Sequence, residues 1–134
     1  MLSLKMYLII SKRVVNLSEH ASMVAEFMML LRRRMMEHSK NSLMVSLFGK
    51  SFVNLKNESI DVKFLEGLFL NTGKEEVWMS HGDRVASIPK DFKVYGISEN
   101  APFAIIGNEK KHFYGVQFHP EVIHTLNGKL LIKN

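Results

Sequence analysis

The pattern of apolar and polar positions changes at about residue 47. From there to residue 134, short apolar runs alternate with turn-forming residues, which is typical of β-strands. No strong helical stripe separates the last five runs, so we expect a largely antiparallel or mixed sheet. The predicted strands cover residues 51–55, 76–79, 91–98, 102–107, 111–118 and 129–132.

The first part of the chain has a different periodicity. Residues 7–10 form a short apolar run that predicts a strand, and Ser18 is a suitable N-cap. Helical spacing then predicts a helix over about 19–37, with its apolar stripe at Val24, Phe27, Met28, Leu31 and Met35. Three arginines at 32–34 would complement the helix dipole in its last turns. Three interpretations stay open: an ordinary packed helix with a solvated basic end, poorly ordered sequence, or a basic amphipathic helix that binds a membrane or a calmodulin-like partner.

Composition divides the chain at the same place. Eight of the nine methionines lie at or before Met44, whereas all eight glycines and all three prolines follow it. Most of the formal charge of +5 also belongs to the first third. We therefore expect a divergent, Met-rich, basic segment at 1–46 and a distinct second part at 47–134. The small net charge of the second part does not indicate nucleic-acid binding.

Two absences limit the possible functions. No apolar run approaches the ~20 residues that span a bilayer and no signal peptide is recognisable, so we expect a cytoplasmic protein without a membrane partner. The 134 residues contain no cysteine, which excludes a disulfide, a Cys-ligated zinc and a thiolate nucleophile within this sequence.

The segment from Tyr114 to Val122 contains the strongest chemical signal. Its apolar alternation predicts a strand that stops where Pro120 removes a backbone donor. In an extended segment, residues i and i+2 point the same way, so His119 and Glu121 would be close enough to hydrogen-bond. A carboxylate that orients an imidazole in this way makes a general base. The nucleophile that such a base would activate is not evident.

Two motifs about thirty residues apart carry a family resemblance. The first is Val77-Trp78-Met79-Ser80-His81-Gly82-Asp83-Arg84-Val85, and the second is Tyr114-Gly115-Val116-Gln117-Phe118-His119-Pro120-Glu121-Val122 with His124-Thr125 and Gly128. Together they resemble the C-terminal half of a class I glutamine amidotransferase domain of the GMP synthase type. The resemblance covers about residues 47–134 and implies part of an α/β, flavodoxin-like fold that retains its C-terminal mixed or antiparallel strands.

The resemblance implies a function and a site. Members of this family hydrolyse glutamine to glutamate and ammonia with a Cys-His-Glu triad, and the ammonia passes to an ATP-pyrophosphatase domain that aminates XMP to GMP. By position, His119 is the general base and Glu121 its orienting carboxylate. The loop that borders the glutamine pocket corresponds to Ser80, His81, Gly82 and Asp83. No cofactor and no metal are expected.

The chain departs from the family pattern at its nucleophile. No Gly-x-Cys-x-Gly elbow is present, so we expect a truncated amidotransferase that is inactive alone and needs a missing N-terminal half. A displaced upstream reading frame would explain the composition of residues 1–46. The alternative is a non-catalytic binding or regulatory remnant. A metal site at His119, Glu121 and His124 is disfavoured without cysteine, and a zinc deaminase is excluded because its Pro-Cys-x-x-Cys motif is absent.

Overall fold

The computed structural model describes residues 7–10, 47–56, 61–70, 72–81, 85 and 88–134, and it describes the backbone alone at 7–10, 47–48 and 80–81. Within these ranges the chain forms six strands, one short 3₁₀ turn (Lys63–Leu65) and one α-helix, α1 (Gly128–Lys133). The strands are β1 (Tyr7–Ile10), β2 (Leu47–Leu55), β3 (Lys74–His81), β4 (Lys93–Ile97), β5 (Ile105–Asn108) and β6 (Phe113–Val116).

All six strands belong to one sheet in the order β1-β6-β5-β4-β2-β3. Every described pairing is antiparallel, from Tyr7 opposite Val116 at one end to Leu47 opposite His81 at the other. The antiparallel character expected for this half of the chain is therefore confirmed. One irregularity lies in β4, where a bulge between Val94 and Gly96 leaves Tyr95 as an extra residue opposite β5.

The core lies between one face of the sheet and the segment 62–69. Phe64 stacks on Tyr114 of β6 with ring centroids 4.1 Å apart, and Asn134 donates hydrogen bonds to the backbone carbonyls of Phe64 and Glu66. The helix α1 therefore closes over the same segment. The buried apolar residues that fill this layer include Val53, Leu65, Leu68, Val77, Met79, Tyr95, Ile105, Val116, Phe118 and Leu131.

The strand predicted at residues 129–132 is wrong, because these residues lie in α1. A short apolar run does not distinguish a strand from one turn of helix. Packing decides for the helix here: Leu131 is fully buried in the core, while Leu130 packs against Gly67, where an added Cβ would lie 2.8 Å from its Cδ2. The strand predicted to reach Phe118 also ends earlier, at Val116.

Other predictions have different outcomes. The strand at 7–10 is present with the predicted bounds, and the strands at 51–55, 76–79, 91–98, 102–107 and 111–118 are present with shifted ends. The helix predicted over 19–37 lies outside the described residues. Among the residues that the structure does describe, no helix is both long and apolar enough to cross a bilayer.

Candidate active site

The segment after β6 leaves the sheet and returns to its far edge. The Gln117 amide donates to the carbonyl of Ala104 at 2.9 Å, and two residues later the His119 amide donates to the carbonyl of Trp78 in β3, also at 2.9 Å. Because β3 is the last strand of the described sheet, its outer edge is available for this contact. The backbone of His119 is therefore attached directly to β3.

The side chains of His119 and Glu121 form the predicted hydrogen bond. His119 Nδ1 lies 2.8 Å from Glu121 Oε1, with 15% of the histidine side chain and 49% of the glutamate side chain exposed. An ionised carboxylate can only accept, so Nδ1 carries a proton, and in the neutral ring Nε2 is then the nitrogen with the lone pair. The segment containing both residues is bent rather than extended. The geometry can support proton uptake at Nε2, with the carboxylate stabilising the resulting imidazolium.

A buried threonine joins the same segment to β3. Thr125 is 6% exposed, and its Oγ1 accepts a hydrogen bond from the Trp78 amide at 3.0 Å. The same hydroxyl donates to the carbonyl of His119. The sequence identified Thr125 only as part of the family motif, and nothing in the sequence indicated that it contacts Trp78.

His124 also contacts Trp78, through its ring. The two ring centroids are 4.7 Å apart and the planes are inclined by 34°, so the imidazole covers part of the half-buried indole. Among the described residues, no group of three or more His, Asp or Glu side chains is arranged to hold a metal ion.

Two further contacts hold Asn127 and Gly128, which follow closely after His124 and Thr125. Glu75 of β3 is 9% exposed; its carboxylate accepts hydrogen bonds from the Phe69 amide at 2.8 Å and from the Asn127 side-chain amide at 3.0 and 3.1 Å. Gly128 lies against Pro120 so closely that an added Cβ would be 1.9 Å from the Pro120 carbonyl oxygen. Glu75 carries no recognisable sequence signal, since its partner Asn127 is 52 residues away.

A second ring and carboxylate pair lies beside the β5–β6 hairpin. The Tyr95 hydroxyl donates to Glu109 Oε1 at 3.0 Å. Burial, reinforced by this hydrogen bond, raises the pKa of Tyr95 above its ordinary value. Burial also raises the pKa of Tyr114. Both phenols are therefore held in their protonated form.

The four residues predicted to border a glutamine pocket are only partly described. Ser80 and His81 are the last two residues of β3, where they pair with Phe48 and Leu47. Gly82 and Asp83 lie outside the described residues. Ser80 follows Trp78 by two residues in β3, and the Trp78 carbonyl accepts the hydrogen bond from the His119 amide. The pocket itself stays a prediction.

Comparisons with known proteins agree with the motif. A family model described as "Glutamine amidotransferase class-I" matches residues 25–134, so the match begins inside the segment that we expected to be divergent. A GMP synthase [glutamine-hydrolyzing] of Rhizobium etli is 51% identical over 87 residues, which cover 65% of this chain and 16% of that protein. One of Brucella melitensis is 46% identical over 87 residues, or 65% of this chain and 17% of that protein.

A solved structure is also similar. The crystal structure of a protein from Thermoplasma acidophilum, described as a candidate subunit of GMP synthase, has a TM-score of 0.56 and 27% identity, covering 66% of this chain and 41% of that one. The match therefore spans less than half of the solved chain and about one sixth of the length of the curated relatives.

Proposed function

The chain belongs to the class-I glutamine amidotransferase family, and we propose that it provides the histidine and carboxylate half of a glutamine-hydrolysing site of the GMP synthase type. His119 is the general base of this site, and Glu121 holds its ring in the Nδ1-protonated tautomer. The observation that carries the proposal is the 2.8 Å contact between His119 Nδ1 and Glu121 Oε1, on a segment anchored to the edge of β3.

The chemistry needs a nucleophile that this sequence does not contain. Hydrolysis of the glutamine amide by a triad begins with attack of a thiolate that the histidine has deprotonated. Because the 134 residues hold no cysteine, we propose that the chain alone has no glutaminase activity. The family's cysteine elbow, supplied from outside these 134 residues, would have to complete the site.

The proposed substrate and partners follow from the relatives. Glutamine is the substrate of the completed site, and Ser80, His81, Gly82 and Asp83 border its pocket. Relatives named GMP synthase [glutamine-hydrolyzing] match this chain over one sixth of their length, so the ammonia would be used by a separate ATP-pyrophosphatase domain that aminates XMP. The cytoplasmic location expected from the sequence stays a prediction.

Complementation tests the proposal. The purified chain is mixed with the separately produced N-terminal half of the Rhizobium etli amidotransferase domain, and release of glutamate from glutamine is measured. We expect hydrolysis in the mixture and none with either half alone. His119→Ala should lower the rate by about 10³-fold or more, because a triad that loses its base retains only binding and oxyanion stabilisation.

A matched control separates loss of the base from loss of folding. Thr72 lies in an exposed turn, where its hydroxyl interacts only with Lys74 in the described structure, so Thr72→Val should leave the rate within about twofold. A mixture that hydrolyses glutamine equally well with His119→Ala would disprove the role of His119.

A second candidate function is a non-catalytic binding or regulatory module. The absence of cysteine favours it, because a chain without a nucleophile can still bind a synthetase domain. It would be supported if the chain binds a purified ATP-pyrophosphatase domain in a pull-down while complementation restores no hydrolysis. Restored hydrolysis that depends on His119 would favour the catalytic role.

A further inference from the structure

Both backbone polar groups of His119 connect it to Trp78, one directly and the other through a side chain. Its amide donates directly to the Trp78 carbonyl. Its carbonyl, however, does not accept the Trp78 amide directly: the hydroxyl of Thr125 lies between them, accepting from Trp78 N–H and donating to His119 C=O. In a hydrogen-bonded pair of an ordinary antiparallel ladder, the two facing residues exchange both hydrogen bonds directly. Here one of the two is replaced by a side-chain bridge.

The bridge needs a group that donates and accepts at the same time. A threonine or serine hydroxyl has one proton and two lone pairs, whereas a valine of the same shape has neither. Thr125 is 6% exposed, so water has little access to replace the hydroxyl. Without it, the Trp78 amide on β3 and the carbonyl of His119 would both lose the hydrogen bond that Thr125 provides, and little water could reach the site to replace it.

The bridge also controls where the His119 ring can lie. The ring reaches Glu121 from a bent segment, which does not by itself fix the direction of the side chain. Holding the amide and the carbonyl of His119 at once fixes the orientation of its peptide planes and therefore of its Cα–Cβ bond. The 2.8 Å contact between Nδ1 and Glu121 Oε1 depends on that orientation.

We propose that Thr125 is a positioning residue: its hydroxyl bridges β3 to the carbonyl of His119 and thereby holds the imidazole in the Nδ1-protonated tautomer, in which Nε2 is the nitrogen that can act as the base. The role rests on the proposed function of His119, but it concerns the ring alone and can be measured without hydrolysis. Thr125 does not touch the reacting atoms in this proposal.

The tautomer of His119 tests the proposal directly. The full chain is labelled with ¹⁵N, and the ring nitrogens of His119, identified by their loss in His119→Ala, are recorded at a pH well above the usual titration range of histidine. The wild-type ring should be mostly Nδ1-protonated. In Thr125→Val the ratio of Nδ1–H to Nε2–H tautomer should fall about fivefold, the size of one lost hydrogen bond.

Rescue and control variants separate positioning from folding. Thr125→Ser keeps the hydroxyl and should hold the tautomer ratio within about twofold of wild type, and Thr72→Val, which removes an exposed threonine hydroxyl, should not change it. A folded Thr125→Val chain with the wild-type ratio would overturn the proposal. So would a folded Thr125→Ser chain that loses the Nδ1–H tautomer.

A measurement on the wild-type chain covers the case in which Thr125→Val does not fold. If the hydroxyl bridge holds, the amide of Trp78 should exchange with deuterium as slowly as the amide of His119, since both then open together. An amide of Trp78 that exchanges at least tenfold faster than that of His119 would show that the bridge is not formed. Failed complementation with a preserved tautomer effect would count against the proposed function and leave the role of Thr125 intact.

Discussion

Each end of β6 lies beside a carboxylate that accepts a hydrogen bond from a titratable ring. Glu121 accepts from His119 at 2.8 Å after the strand, and Glu109 accepts from Tyr95 at 3.0 Å beside the hairpin before it. The imidazole has a second nitrogen that can take a proton while the first stays bonded, but the phenol has a single oxygen. The same contact therefore prepares a base at one end and only fixes a side chain at the other.

The two ends also differ in what holds them. After β6, the amide of His119 bonds to β3 directly, its carbonyl is joined to β3 through the Thr125 hydroxyl, and Pro120 packs against Gly128. At the hairpin, Gly107 lies between the rings of Tyr95 and Tyr114. Backbone cannot move aside as a ring can. We therefore expect the end that carries the His119–Glu121 pair, here called the dyad, to be the less tolerant of added volume.

Adding a methyl group beside each end of β6 should produce the largest difference in stability between the two ends. Gly128→Ala places its Cβ 1.9 Å from the Pro120 carbonyl oxygen, whereas Gly107→Ala meets Tyr95 and Tyr114 ring atoms at 2.6 Å. We expect the free energy of unfolding to fall by about 3 kcal/mol or more for Gly128→Ala and by about 1–2 kcal/mol for Gly107→Ala, measured by urea denaturation. Equal losses would contradict the ranking of the two ends.

Exchanging each carboxylate for an amide tests which pair has a catalytic role. Glu121→Gln can no longer stabilise the imidazolium, so we expect kcat of the complemented enzyme to fall by about 10²-fold with little change in KM. The effect should be below that of a fully buried carboxylate because half of Glu121 is exposed. Glu109→Gln is the matched control and should leave kcat within about twofold. A loss of activity in Glu109→Gln would mean that the hairpin contributes to the site.

Removing the phenol oxygen should have the smallest effect, and it should appear in the pH dependence. Tyr95→Phe loses one partly buried hydrogen bond, worth about 1 kcal/mol. Burial first, and then Glu109, raises the pKa of Tyr95, so this contribution is fully present below the unfolded pKa of about 10 and is lost as pH rises towards the folded value.

The corresponding measurement is the free energy of unfolding between pH 9 and 11, limits that bracket the ordinary tyrosine pKa of about 10. Stability of the wild-type chain should fall with rising pH, and the fall should be shallower in Tyr95→Phe. Parallel curves for the two proteins would show that the Tyr95 phenol does not titrate differently in the folded state.

Local pattern is sufficient for most strands and for the dyad, and insufficient where distant packing decides. His119 and Glu121 are two residues apart, so their proximity can be expected from sequence spacing, but the extended conformation from which we predicted the contact is wrong, because the segment is bent. The apolar run at 129–132 predicts a strand, but its helical state depends on Gly128 fitting against Pro120 and on Leu131 reaching the core. The apolar run itself shows neither contact, so its periodicity could not distinguish the two states.

The side chains that support the dyad were not predictable for the same reason. Thr125 meets Trp78 across 47 residues, and Glu75 meets Asn127 across 52. A glutamate in a strand would ordinarily be expected to face solvent, and only the structure shows the amides that satisfy this buried one. The bulge at Tyr95 likewise depends on the register between β4 and β5.

The pairing of β1 with β6 has a consequence for the kinetics of folding. Tyr7 lies opposite Val116, so 109 positions of a 134-residue chain separate the two partners. The β4–β5–β6 meander closes through short connections, whereas β1 can join only after a loop of nearly the whole chain has closed. Contacts of such separation slow folding, and we expect β1 to dock last onto a meander that already presents the edge of β6.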